Sequence, residues 1–185
     1  MEITVDNFLD GKIKIYQPKK GYRAGIDAVL LASSVKVFND CQILDVGSGT
    51  GVVSFCIGFR CKNIHLEGIE KNTQYYSLAK KSLKLNKLKS KINFLNKDFE
   101  NVNNMQSDII VSNPPWFRQN STYQSNNSLL NEAKIESLKL EIWIERVFKN
   151  LNSTGEYYTI FPYSRIKELV NILKNYFNII KVIAI

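Results

Sequence analysis

Short apolar runs alternate with longer amphipathic stretches along most of the chain. The runs have the length of buried strands and cover residues 42–46, 63–70, 91–95, 107–112 and 155–161. The amphipathic stretches repeat their apolar residues at helical spacing and cover 52–59, 72–86, 140–151 and 166–177. This alternation predicts an α/β fold, with helices on both faces of a Rossmann-like sheet.

The N-terminal part follows a different pattern. Residues 12–16 alternate like a half-exposed strand, and residues 21–33 pass from a glycine-containing segment into a helix. We therefore expect an N-terminal hairpin and helix over 1–40 and a Rossmann-like core over 41–185. At 185 residues, both parts fit within a single domain.

Composition narrows the class of protein. Apolar residues make up 44% of the chain and charged residues 23%, as in soluble globular proteins. No apolar run reaches the ~18–20 residues of a membrane helix, and the N-terminus lacks the features of a signal peptide. The three cysteines form no Cys-x-x-Cys pattern, and no Cys/His/carboxylate spacing suggests a metal site. A reducing, cytoplasmic location is the expectation.

The net charge of +8 and the pI near 9.3 suit a polyanionic partner such as RNA or DNA. Lys, Ile and Asn are all abundant, however, and an A+T-rich genome produces that bias without selection for nucleic-acid binding. The charge therefore leaves the partner open.

A glycine loop follows the strand at 42–46. Gly47, Gly49 and Gly51 are spaced Gly-x-Gly-x-Gly, whereas a dinucleotide fingerprint needs glycine at the position of Val52. Glycines at a strand–helix turn let backbone N–H groups approach a ligand closely. The tighter spacing favours S-adenosylmethionine, with Ser48 as a further cofactor contact; a tight turn without a ligand is the alternative.

Carboxylates stand at three strand ends. Asp45 precedes the glycine loop and is expected at the cofactor. Glu70 ends the second strand of the core, where it can accept hydrogen bonds from both ribose hydroxyls. Asp98 and Phe99 follow the third strand and are expected at the cofactor adenine. The alternatives are a solvated strand-end charge for Glu70 and an ordinary turn residue for Asp98.

A stiff loop follows the strand at 107–112. Pro114 and Pro115 fix their own φ and restrict the residues before them. Such a loop can direct the Asn113 side-chain oxygen and the Pro114 carbonyl at one planar –NH₂ group, with Trp116 as a stacking face. We predict Asn113, Pro114, Pro115 and Trp116 as catalytic, and Asn113 also as a cofactor contact. A buried Pro-Pro turn with a core tryptophan is the alternative.

The run from Gly21 to Ala32, followed by the glycine loop and residues 113–116 at this spacing, resembles the bacterial tRNA1(Val) (adenine37-N6)-methyltransferase family. The resemblance covers nearly the whole chain. It implies a seven-stranded class I methyltransferase fold and S-adenosylmethionine as the methyl donor. The acceptor it implies is N6 of an adenine in a tRNA anticodon loop.

The resemblance also implies where the residues lie. Gly47, Gly49 and Gly51 would line the methionine and ribose, and the segment from Tyr22 to Gly25 would lie near the cofactor. On the substrate side, our own expectation from the sequence is contact by Tyr22, Arg23, Trp116, Phe117 and Arg118, with the polar segment 118–128 as a gate over the target base.

The chain departs from the family pattern in three ways. Trp116 stands where tyrosine is commonest, and Ser48 replaces a common cysteine. Residues 181–185 read as a sixth strand with nothing after them, so the C-terminal strand hairpin is expected to be incomplete. The fifth strand would then expose an unpaired edge, as in a truncated, aggregation-prone or weakly active chain.

Two other functions remain open from the sequence. The same type of site can act on an rRNA base or on a glutamine amide of a protein. A chain without its closing hairpin could also bind RNA or a protein partner without catalysis. A monomer is the expected oligomeric state.

Overall fold

The computed structural model describes residues 2–113 and 140–184. The strands are β1 (Ile3–Phe8), β2 (Ile13–Pro18), β3 (Gln42–Val46), β4 (His65–Ile69), β5 (Lys91–Leu95), β6 (Ser107–Ser112) and β7 (Leu151–Thr159). The helices are α1 (Ile26–Ser34), α2 (Val52–Arg60), α3 (Thr73–Leu83), α4 (Leu140–Asn150) and α5 (Ile166–Leu173).

The central sheet has five parallel strands in the order β5-β4-β3-β6-β7. In register, Asp45 of β3 lies between Gly68 of β4 and Val111 of β6. The loops that follow β3, β4 and β6 therefore meet at one edge of the sheet, where open α/β folds bind their ligands. The predicted α/β architecture is confirmed.

Alternating residues of the strands feed two cores. Ile43 and Val111 face a core that also contains α1, α2 and β2. Leu44 and Ile110 face the opposite core, which is built with α4 and α5. Because both faces are covered, the strands read in the sequence as nearly continuous apolar runs.

The N-terminal hairpin packs on α3. The Tyr16 N–H donates to Ser82 Oγ at 2.9 Å. The Asn86 side chain accepts from the Lys14 N–H and donates to the Lys14 carbonyl, at 2.9 and 2.7 Å. These bonds fix β2 against the C-terminal end of α3 and position the segment that follows β2.

In the C-terminal part, the predicted start of one strand and the prediction of another strand are wrong. Strand β7 begins at Leu151, directly after α4, because buried Asn150 ends the helix by bonding the Val102 carbonyl and the Met105 N–H. Residues 181–184 form no strand: Val182 and Ile183 are exposed and pair with no described strand. A single β segment without a neighbour to bond has nothing to hold it extended.

None of the helices within the described ranges has the length and hydrophobicity needed to cross a membrane.

Candidate functional site

The glycine loop forms the floor of a crevice at the edge of the sheet. Gly47, Gly49 and Gly51 all have positive φ, at 71°, 56° and 87°. The N–H groups of Gly47 and Ser48 both donate to the Ile69 carbonyl at 2.9 Å, which ties the loop to the end of β4. A Cβ at Gly51 would lie only 2.6 Å from the Phe94 ring, so close packing also requires glycine there.

Glu70 joins the glycine loop to the turn before α3. Its carboxylate accepts from the Gly49 N–H at 2.8 Å and from the Asn72 N–H at 2.7 Å. Burial raises the pKa of this carboxyl, while the two backbone bonds oppose the shift. Each oxygen keeps further lone-pair capacity, so the carboxylate can still accept hydrogen bonds from a ligand.

Asp45 lies beneath the loop. Its side chain is 2% exposed and accepts from the Ser54 hydroxyl at 2.5 Å. Burial raises the pKa of Asp45 to about 7, and the nearby charge of Glu70 adds to the shift. Asp45 therefore holds α2 to β3 from below.

Tyr22 covers the glycine loop from the N-terminal side. Its ring lies 3.9 Å from the position that a Cβ of Gly49 would take. The Tyr22 N–H donates to the Tyr75 hydroxyl at 3.2 Å, and the two rings pack edge to face. The pKa of Tyr22 is raised by burial and by the carboxylates of Asp27, Asp45 and Glu70, so all three carboxylates surround this one site.

Asp98 and Phe99 border the crevice beyond β5. Asp98 caps a short 3-10 helix by accepting from the Glu100 N–H at 3.0 Å, and its charge contributes to the raised pKa of Glu70. The Phe99 ring is buried against Trp143 with centroids 5.3 Å apart. Trp143 also lies 3.7 Å from the position that a Cβ of Gly47 would take, so it forms a wall that the sequence motifs did not reveal.

Asn113 follows β6 at the same edge. Its side-chain nitrogen donates to Asp27 Oδ2 at 2.8 Å, across 86 residues of sequence. A carboxylate only accepts hydrogen bonds, so the amide nitrogen must face Asp27 and the amide oxygen is left for another donor. Asp27 lies in the first turn of α1 and was missing from the sequence predictions. The Asp in the run from Gly21 to Ala32 was the available signal.

Arg23 has partners within the hairpin. Its guanidinium bonds the Asp6 carboxylate, Thr4 Oγ1 at 3.0 Å and the Pro18 carbonyl at 2.9 Å. The predicted substrate contact by Arg23 stays a prediction, and in the structure this side chain ties the segment before α1 to β1 and β2.

Five of the predicted site residues, Pro114, Pro115, Trp116, Phe117 and Arg118, lie outside the described residues. The predicted gate over 118–128 lies outside them as well. Their roles stay predictions.

Comparison with known proteins identifies the family to which the chain belongs. Residues 23–184 match the methyltransferase small domain family, and this range includes the glycine loop, Glu70 and Asn113. The chain belongs to that family. The match extends over well more than half of the 185 residues.

Among the family's curated relatives, a tRNA1(Val) (adenine(37)-N6)-methyltransferase from Histophilus somni is 28% identical over 159 residues. The aligned region is 84% of this chain and 67% of that protein. A protein of the same name from Bacteroides fragilis is 28% identical over 153 residues, which are 80% of this chain and 63% of that one. The chain therefore spans roughly two-thirds of the length of these relatives.

Solved methyltransferase structures share the fold. TYW2 from P. horikoshii, in complex with MeSAdo, matches with a TM-score of 0.66 at 16% identity. The aligned region is 94% of this chain and 58% of the TYW2 chain. A SAM-dependent O-methyltransferase from Thermotoga maritima matches with a TM-score of 0.61 at 16% identity, over 85% of this chain and 52% of the Thermotoga chain. The sheet is that of Rossmann-like methyltransferases.

Proposed function

We propose that this protein uses S-adenosylmethionine to methylate the exocyclic N6 amine of an adenine in tRNA. Membership of the methyltransferase small domain family supports the reaction type. The names of the relatives support the acceptor. The observation that carries the proposal is the hydrogen bond from Asn113 to Asp27, because it leaves the amide oxygen of Asn113 available to a planar amine.

The crevice fits a cationic nucleoside cofactor. The glycine loop has positive φ at Gly47, Gly49 and Gly51 and no side chains at these positions, so a ligand beside Tyr22 can approach its backbone closely. The carboxylate of Glu70 retains acceptor capacity for ribose hydroxyls. When bound, S-adenosylmethionine supplies an activated methyl group on a positively charged sulfonium.

The surrounding carboxylates favour that positive charge. The charges of Asp27, Asp45 and Glu70 all raise the pKa of Tyr22. Burial raises the pKa values of Asp45 and Glu70 themselves, which makes their ionised forms unfavourable. A cation in the crevice would favour their charged forms and lower both pKa values. The burial of these acids is therefore consistent with a ligand of opposite charge.

Asn113 is the positioning group for the acceptor. Its amide oxygen would accept a hydrogen bond from the N6 amine and orient the nitrogen lone pair toward the methyl donor. The Pro114 carbonyl as a second acceptor and Trp116 as the stacking face are further parts of the proposal. An adenine in an anticodon loop can enter such a site because a loop base is easily unstacked.

The test is transfer of tritium from labelled S-adenosylmethionine into bulk tRNA, followed by nucleoside analysis. We expect N6-methyladenosine with the natural chain and almost none with Asn113→Ala, while cofactor binding by the variant stays largely intact. Label in rRNA or in a protein glutamine, with none in tRNA, would refute the acceptor. Full turnover by Asn113→Ala would refute the role of the amide.

A further inference from the structure

The net positive charge of the chain comes entirely from one segment. Residues 71–97 contain eight lysines and no Asp, Glu or Arg, whereas the remaining 17 Lys and Arg match the 17 Asp and Glu elsewhere. All eight lysines are exposed. We call them the lysine surface: Lys71, Lys80, Lys81, Lys84, Lys87, Lys89, Lys91 and Lys97. A compositional bias toward lysine would spread the charge along the chain, so the concentration calls for another cause.

The fold turns this segment into a continuous strip. Helix α3 buries Tyr75 and Leu78 against the protein, and Lys80, Lys81 and Lys84 project from its opposite side. The loop after α3 is held against the hairpin by Asn86. The strip ends on β5, which has one neighbour, β4, in the described sheet.

The strip also reaches the site. Lys71 directly follows Glu70, and Lys97 directly precedes Asp98, so both lie at the edge of the sheet that holds the crevice. Lys89 and Lys91 lie at the start of β5, at the other edge. Five residues of strand separate these ends, about 16 Å at a rise of about 3.3 Å per residue. A substrate with regularly spaced charges could therefore contact the strip and the crevice together.

We propose that the lysine surface binds the phosphate backbone of the RNA whose target base enters the crevice. This inference rests on the proposed function. Ammonium groups suit phosphates as point charges and contribute affinity without reading sequence. A membrane surface fits less well, because Leu85 is the one exposed large hydrophobic side chain in 71–97.

Charge neutralisation against a matched control tests the proposal. The test variant is Lys81→Gln/Lys84→Gln/Lys87→Gln. The control is Lys36→Gln/Lys167→Gln/Lys174→Gln, which removes the same charge from exposed lysines outside the strip. Binding of bulk tRNA is measured by fluorescence anisotropy between 50 and 200 mM salt, and Tm is measured for both variants to confirm folding.

We expect the test variant to lose about 10-fold or more in tRNA affinity and about 2–3 in the slope of log K against log[salt], since each phosphate contact contributes about 0.7–0.9. The control variant should retain both the tRNA affinity and the salt dependence of the natural chain. Equal losses in the two variants, or none in either, would overturn the proposal. So would unchanged tRNA affinity with weakened binding to anionic lipid vesicles.

Binding is read separately from methylation, which keeps the two proposals apart. Strip-dependent tRNA binding without N6-methyladenosine would refute the adenine acceptor and retain the lysine surface. Formation of N6-methyladenosine in tRNA, with unchanged tRNA affinity of the test variant, would support the adenine acceptor and refute the lysine surface.

Discussion

Asp27 determines which atom of Asn113 faces the crevice. An amide can rotate to present either its oxygen or its nitrogen, and the nitrogen would repel the amine that it is meant to hold. The 2.8 Å bond to the Asp27 carboxylate selects the productive orientation. Asp27 is thus a positioning residue that acts through Asn113.

Asp27→Ala should lower kcat by about 10- to 100-fold, because a hydrogen bond to a charged group contributes about 1.5–3 kcal/mol. Cofactor affinity should fall less than kcat, since Asp45 and Glu70 remain in place beside Tyr22. Asp27→Asn can offer Asn113 either an acceptor or a donor, so it should recover only part of the activity. Steady-state kinetics with tRNA, together with Tm, measures both effects.

A double-mutant cycle separates positioning from a general loss of structure. If Asp27 acts through Asn113, adding Asp27→Ala to Asn113→Ala should cost nothing more. Additive losses would show that Asp27 contributes by another route.

Asp45 gives a prediction for pH. Its pKa is about 7 in the folded chain against the ordinary 3.8, so between these values the folded state holds a proton that the unfolded state releases. Stability from this residue is therefore full below pH 4 and falls as the pH rises to 7. Three pKa units set an upper limit on the order of 4 kcal/mol.

Asp45→Asn removes this titration and retains an acceptor for Ser54. Relative to the natural chain, the variant should gain stability steadily from pH 4 to pH 7 and no further above pH 8. Urea unfolding at each pH measures the difference. A difference that stays constant with pH would contradict the raised pKa.

The N-terminal hairpin supports the site through one polar cluster. Asp6 Oδ2 accepts from buried Gln17 Nε2 at 2.6 Å and from Arg23. Gln17 Oε1 accepts from the Ala24 N–H at 2.8 Å, two residues from Tyr22. The hairpin therefore fixes the backbone that holds Tyr22 over Gly49.

Asp6→Ala should lower the unfolding free energy by about 1–3 kcal/mol, because it leaves the buried Gln17 donor without a partner. It should also weaken cofactor binding and hydrogen-exchange protection in β2. Glu2→Ala is the matched control, since its ion pair with Lys19 is exposed at 3.0 Å. Equal effects of the two variants would rule out this role of the cluster.

Strands and helix ends that depend on a short local sequence pattern were predictable from the sequence. Strands β3, β5 and β6 have the predicted bounds, and Asn72 caps α3 as expected by accepting from the N–H groups of Gln74 and Tyr75. The start of β7 was not predictable, since Asn150 ends α4 through partners 45 and 48 residues away. Local pattern carries no information about such long-range bonds.

At the scale of the whole molecule, the site depends on the parallel order of the sheet. Loops after β3, β4 and β6 are distant in sequence and adjacent in space because the strands order as β4-β3-β6. The motif residues in these loops could be named from the sequence. Their partners were not named from the sequence: Asp27, Tyr75 and Trp143 come from helices that reach the crevice only through tertiary packing.

The fluorescence of Trp143 can report on ligand binding in the crevice. Its indole lies beside Gly47 and against Phe99, and the chain has two tryptophans in all, Trp143 and Trp116. Replacing Trp116 by phenylalanine would leave Trp143, at the wall of the glycine loop, as the single tryptophan, which can be excited selectively over the tyrosines at the long-wavelength edge of protein absorption. Its emission would then report ligand occupancy directly in a titration, with no label and no turnover.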